Sequence, residues 1–162
     1  MNLPCKVPMM RFSLLAAPVA ALMLSAPLAM AEDAPRTLSV DMQDATFAKR
    51  VGALFGKVEQ PGWLKRATES APVEVTMDGK PYTVLLSCKQ HDCRNHQFVL
   101  MFNDKTMYGL RFETKDNSPQ EELTWLNIGG GPESIDGKTI LYAAITGSLY
   151  NHRAAFQRPQ GQ

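Results

Sequence analysis

The run Cys88-Lys89-Gln90-His91-Asp92-Cys93 gathers the residue types in this chain most suited to chemistry. Three chemistries are open to it. If Cys88 and Cys93 pair, they close a ring of six residues with one imidazole near its apex. Asp92 could then accept a hydrogen bond from the loop backbone, or orient and charge the histidine beside it. A stiff ring of this kind is shaped to enter another protein's cleft, because a preformed loop avoids an ordering cost of about 0.5–1.5 kcal/mol per side chain. If the cysteines stay reduced, Cys88, His91, Cys93 and His96 form a C-x2-H-x-C-x2-H array with ligand types suited to tetrahedral zinc. A reduced cysteine next to His91 or His96 would instead resemble a nucleophile with its base.

The last two readings meet physical objections. Zinc would need four ligands within nine residues, partly on a strand, and both thiolates reduced. Catalysis also needs a free thiolate, and a Cys-x4-Cys spacing differs from the Cys-x-x-Cys of disulfide oxidoreductases. No serine-nucleophile motif, phosphate loop or paired-carboxylate signature occurs elsewhere, so the chain does not read as an enzyme and implies no cofactor. The bland alternative is an ordinary exposed loop histidine.

The redox compartment bears on all of these. Lys6 and Arg11 form a positive leader, Phe12 to Leu28 is almost wholly apolar, and Ala29-Met30-Ala31 fits a small-x-small cleavage site. Residues 1–31 therefore read as a cleaved secretory signal, with Met9 and Met10 as alternative starts. The apolar run is shorter than the roughly 20 residues of a spanning helix, and Pro18 and Pro27 interrupt it. Cys5 precedes that run, the wrong place for a lipid anchor, and leaves with the signal. Cys88 and Cys93 remain as the one possible pair, which in an exported chain reads first as a disulfide.

Cleavage would leave 131 of the 162 residues, one compact domain over 38–157 between a short leader (32–37) and a frayed tail (158–162). Without Lys6 and Arg11, 15 basic residues face 16 acidic ones, a formal net charge of −1. That balance points neither to nucleic acid nor to a membrane surface.

The elements that must position the loop follow from periodicity. Phe47, Val51, Leu54 and Phe55 have helical spacing, which predicts one amphipathic helix from Leu38 to Phe55, ended by Gly56 and Pro61-Gly62. Trp63-Leu64 starts a short second turn, and Phe47, Trp63 and Leu64 read as core. From Val73 the period becomes two. Val73, Val75 and Met77 alternate up to the hairpin signal Asp78-Gly79, and Tyr82, Val84, Leu86 and Cys88 continue beyond it. Phe98, Leu100 and Phe102 alternate after the cysteine loop, Asn103-Asp104 turns the chain, and Tyr108, Leu110 and Phe112 form another run. Residues 118–128 suit either a helix opened by the Ser118-Pro119-Gln120-Glu121 capping box or a fifth strand, and the strand is preferred. Ile140, Leu141, Ala144, Ile145 and Leu149 predict a last helix, entered through Ser134 and an Asp136-Gly137 turn. The fold class is α+β, a central antiparallel meander of about five strands flanked by helices on both sides.

At this point the chain resembles a known family, the Ivy inhibitors of vertebrate (C-type) lysozyme. The loop Cys88-Lys89-Gln90-His91-Asp92-Cys93 is similar to that family's C-K-P-H-D-C signature. Leu123-Thr124-Trp125-Leu126-Asn127, then Ser134-Ile135-Asp136-Gly137-Lys138-Thr139, Ala143 through Leu149, and Asn151-His152 continue the resemblance in order. It covers residues 73–156, and upstream the likeness is of pattern more than of letters.

The resemblance implies a periplasmic, non-enzymatic protein that protects peptidoglycan, with C-type lysozyme as partner and homodimers in some members. It also implies that His91 enters the lysozyme cleft and hydrogen-bonds its catalytic carboxylates, while Cys88 and Cys93 brace it and Lys89, Gln90 and Asp92 shape the loop. Lys89 would add attraction to the acidic cleft. One departure stands out. Gln90 replaces the signature proline, which leaves the unbound loop freer and predicts weaker or slower inhibition.

Overall fold

A computed structural model describes residues 36–115, 118–131 and 133–157, all within one compact unit. The expected signal and the polar tail beyond residue 157 lie outside them. Two short helices, α1 (Leu38–Asp41) and α2 (Ala45–Phe55), precede a 3-10 turn at Gly62–Arg66. Six strands follow: β1 (Ala67–Glu69), β2 (Val73–Met77), β3 (Lys80–Lys89), β4 (His96–Phe102), β5 (Met107–Thr114) and β6 (Glu121–Leu126). The chain closes with α3 (Ser134–Ile145), α4 (Ser148–Asn151) and α5 (Arg153–Phe156). The α+β expectation holds, with a central antiparallel sheet and helices on both faces.

The sheet runs β1-β3-β4-β5-β6, with β2 pairing the other half of β3. One edge of β3 is thus shared, β2 beside its start (Met77 opposite Lys80) and β1 beside its end (Ala67 opposite Lys89). Asp78 and Gly79 both take positive φ, 51° and 67°, the two-residue turn whose twist suits a hairpin. At the β4–β5 turn the Asn103 carboxamide oxygen accepts from the Lys105 and Thr106 amides at 2.9 Å each.

β4 shows why the sheet must be covered twice. Phe98-Val99-Leu100-Met101-Phe102 is apolar at every position and fully buried. Phe98, Leu100 and Phe102 pack with Leu38, Phe47, Val51, Leu54 and Phe55 of the N-terminal helices, where Phe47 meets Phe102 edge-on at 5.0 Å. Val99 and Met101 face the opposite way, toward Ile140, Leu141, Ala144 and Leu149. Gly137 allows α3 to come close on that side, since a Cβ there would lie 2.5 Å from the Ile128 Cδ1 atom.

Four local expectations change. The helix placed over 38–55 is two helices, because the Asp44 carboxylate accepts from the Phe47 amide at 2.7 Å and caps a fresh start at Ala45. The sheet has a sixth strand, β1. Asp136-Gly137 is the first turn of α3 rather than a turn before it, and the last helix breaks at Gly147, whose φ of 79° no helix sustains. Residues 121–126 form the preferred strand, and the Ser118 hydroxyl accepts from the Gln120 amide in a local turn without starting a helix.

Candidate functional site

The cysteine loop tops the β3–β4 hairpin. Cys88 lies in the last turns of pleat of β3, opposite Thr68 of β1 on one side and Gln97 of β4 on the other. The loop's base is therefore paired on both flanks. A disulfide joins Cys88 to Cys93 with their Cα atoms 4.8 Å apart. Both sulfurs are consumed by this bond, so they offer no thiolate to a metal or to a substrate. Among the described residues no group of metal-ligating side chains converges.

Inside the ring the Asp92 amide donates to the Lys89 carbonyl at 2.9 Å, which closes a four-residue turn. His91 is its third residue and has φ of 64°, whereas Gln90 is not among the positive-φ residues. This is the type II pattern, which calls for glycine or asparagine at the third position. A side chain in that left-handed region costs about 1 kcal/mol, with histidine among the better tolerated. The exposed imidazole is thus held at the tip by a backbone conformation that glycine would adopt more cheaply.

The second position of a type II turn favours proline, and Gln90 occupies it. The preceding residue, Lys89, is still strand, which is the conformation a following proline demands. Gln90→Pro should therefore raise stability by about 0.4–1 kcal/mol by restricting the unfolded chain. If the loop binds in this form, inhibition should tighten by about twofold to fivefold. Thermal melting and inhibition constants of the two proteins check this, and a looser binder would contradict it.

Asp92 organises the interior of the loop. Its Oδ2 accepts from Lys89 Nζ at 3.0 Å, and its Oδ1 accepts from Asn95 Nδ2 at 2.9 Å. His96 Nδ1 lies 2.8 Å from Oδ2, a close polar contact without the alignment of a straight hydrogen bond. The histidine paired to Asp92 is therefore His96, four residues on, and His91 is left to solvent. Lys89 likewise holds the loop together. Its ammonium points at Asp92, so its pull on a partner's acidic cleft is partly neutralised.

The Lys89 hydrogen bond keeps the Asp92 carboxyl below the ordinary carboxylate range, outweighing lost hydration, with Asn95 and His96 adding to the effect. A carboxylate with a lowered folded-state pKa stabilises the fold above its unfolded value, near 3.9, and loses that contribution as pH falls through the folded one. Wild type should accordingly melt above Asp92→Asn at neutral pH, and the gap should close below about pH 4. A gap that stayed constant from pH 7 to pH 2 would contradict this role.

Sequence reasoning missed Asn95 and Thr114. The Thr114 hydroxyl donates to Asn95 Oδ1 at 2.6 Å, and the Thr114 amide donates to the Asn95 carbonyl at 2.9 Å. The register that places His96 opposite Glu113 brings Thr114 of β5 to the loop, and no local pattern announces it.

Known proteins are similar to this chain in sequence. The family described as "Inhibitor of vertebrate lysozyme (Ivy)" matches residues 46–144, from the first turn of α2 into α3. A protein named "Inhibitor of vertebrate lysozyme" from Escherichia coli (strain K12) is 37% identical over 147 residues, 85% of this chain and 88% of that relative. A Pseudomonas aeruginosa protein of the same name is 32% identical over 92 residues, 54% of this chain and 60% of the relative. The family match spans both faces of the sheet and the whole loop. The chain belongs to the Ivy family of inhibitors of vertebrate lysozyme.

Proposed function

We propose that this protein is a non-enzymatic inhibitor of C-type lysozyme that acts by inserting the loop 88–93 into the active-site cleft, with His91 as anchor. The observation that carries this reading is the exposed imidazole at the left-handed apex of a disulfide-closed turn. Family membership supports lysozyme as the partner.

The chemistry of the target suits an imidazole. Lysozyme pairs a carboxyl kept protonated by an apolar pocket with a second one that stays ionised. A neutral imidazole has one N–H donor and one acceptor nitrogen, so it can donate to the ionised group and accept from the protonated one. A hydrogen bond to a charged group contributes about 1.5–3 kcal/mol, more than a neutral pair. The walls of the ring then fill the saccharide groove and keep water from that contact, as the rim of an interface does for its hot spot. Such a plug is steric and electrostatic, and no bond is made or broken.

The sequence supports the periplasm as the place of action. Cleavage after Ala31 would release the domain to the periplasm, where a disulfide persists and peptidoglycan is exposed to lysozyme. Among the described residues no helix is long and apolar enough to cross a membrane.

A cell-wall clearing assay tests the proposal. Purified mature protein should slow hen egg-white lysozyme when present in modest molar excess. The same protein reduced and alkylated beforehand should slow it less. Lysis at its normal rate under large excess of the intact protein would refute the reading.

A further inference from the structure

Asp92 holds the turn, but something must hold Asp92 to the sheet. The strand that follows the loop begins only at His96, and the disulfide ties the ring to β3 alone. The Asn95 and His96 amides donate to the Asp92 carbonyl at 3.2 and 3.1 Å, and His96 at the start of β4 lies against the carboxylate, so Asp92 is tied to β4; the tie to β5 is Asn95. Its Nδ2 donates to Asp92 Oδ1 at 2.9 Å, its Oδ1 accepts from the Thr114 hydroxyl at 2.6 Å, and its carbonyl accepts from the Thr114 amide at 2.9 Å. Asp92 ionised is acceptor-only, so the amide nitrogen of Asn95 must face it and the amide oxygen must face Thr114. Chemistry therefore leaves one orientation for this carboxamide.

We propose that Asn95 and Thr114 are positioning residues for His91: they fasten the Asp92 carboxylate to the end of β5 and so fix the direction in which the turn projects its imidazole. This deepens the lysozyme-inhibitor reading and rests on it for the effect on inhibition. The line of force runs from β5 through Thr114 and Asn95 to Asp92. From there it reaches the Lys89 side chain and the hydrogen bond between the Asp92 amide and the Lys89 carbonyl. His91 is spanned by that hydrogen bond. The disulfide limits how far the ring can open, while the Asn95 relay sets its tilt against the sheet. These are separate constraints, since one acts on β3 and the other on β5.

The isosteric change Asn95→Asp separates shape from hydrogen bonding. It keeps the volume and replaces the donor facing Asp92 by a second acceptor, so the two carboxylates repel. Thr114→Val removes the hydroxyl at nearly constant volume, and Thr114→Ser keeps it. Hydrogen exchange of the Asp92 amide reads the turn without any lysozyme present. It should speed up about tenfold or more in Asn95→Asp and Thr114→Val, and should stay at the wild-type rate in Thr114→Ser. Inhibition of lysozyme should weaken by about tenfold in the first two variants. In a His91→Ala background Asn95→Asp should add less than about twofold, because a residue that acts through His91 has nothing left to position.

Unchanged Asp92 exchange in both Asn95→Asp and Thr114→Val overturns the proposal, as does a full tenfold effect on inhibition that persists without His91. Failure of wild type to inhibit at all would instead sink the lysozyme reading, and the exchange rates would still decide whether Asn95 holds the turn.

Discussion

Replacing His91 by alanine should weaken lysozyme binding by at least about 2 kcal/mol, a loss of about 30-fold, while melting temperature and sheet structure change little. The two halves of that expectation have different causes. On the proposed reading binding suffers because the exposed imidazole at the apex is the anchor to the target carboxyls, and its loss leaves an ionised group facing a cavity. Stability changes little, because the side chain contacts solvent and alanine exceeds histidine's left-handed backbone cost by less than about 1 kcal/mol. His91→Asn is the sharper control. Asparagine accepts positive φ readily, so the turn is preserved while the imidazole's reach and second nitrogen are lost. Inhibition by His91→Asn near wild-type strength would mean that the turn's shape, and not its imidazole, stops the enzyme.

The second large effect belongs to the disulfide, and it should lower stability and binding together. A six-residue closure stabilises by about 2 kcal/mol in the chain-entropy picture, so the double variant Cys88→Ser/Cys93→Ser should melt about 5–10 °C lower. Binding should weaken as well, by about fivefold to thirtyfold, because Gln90, His91 and their neighbours must then be ordered on contact. The loss should stop short of complete release. The turn hydrogen bond and the Asp92 contacts to Lys89 and Asn95 do not involve sulfur, and the base of the ring stays paired to β1 and β4. Calorimetric melting and titration against lysozyme measure both quantities on one sample. A variant that melted normally yet lost all inhibition would show that the bridge acts on the partner directly.

Much of this architecture could be read from residue order because its causes are local. Asp78-Gly79 announces a hairpin through the positive φ it can adopt, and period-two alternation marks β2, β3 and β5. The seam at Met42-Gln43-Asp44 was harder, because Leu38, Phe47 and Val51 face the same core on either side of it and their apolar spacing runs through the break. Asp44 was the available signal, a good N-cap three residues before Phe47. β1 carried no signal, since Ala67-Thr68-Glu69 is strand only because the end of β3 offers it an edge.

The site divides in the same way. The cysteines, His91 and the turn between them are contiguous, so their grouping was visible. Of the two roles open to Asp92, a bond to the loop backbone or a contact to the adjacent His91, its carboxylate takes neither and meets Lys89, Asn95 and His96, because adjacency in sequence says nothing about direction once the chain turns. His91 takes the left-handed region with its side chain exposed, and His96, four residues beyond Asp92, lies against the Asp92 carboxylate. Thr114, twenty-one residues past Cys93, needed the β4–β5 register to be seen at all.

Whether His91 occupies the catalytic cleft can be tested by competition. Lysozyme saturated with an oligosaccharide of N-acetylglucosamine has its groove filled, so titration of this protein should show an apparent affinity that falls in proportion to saccharide occupancy. Equal affinity with the groove full or empty would place the contact elsewhere on the enzyme and contradict the account.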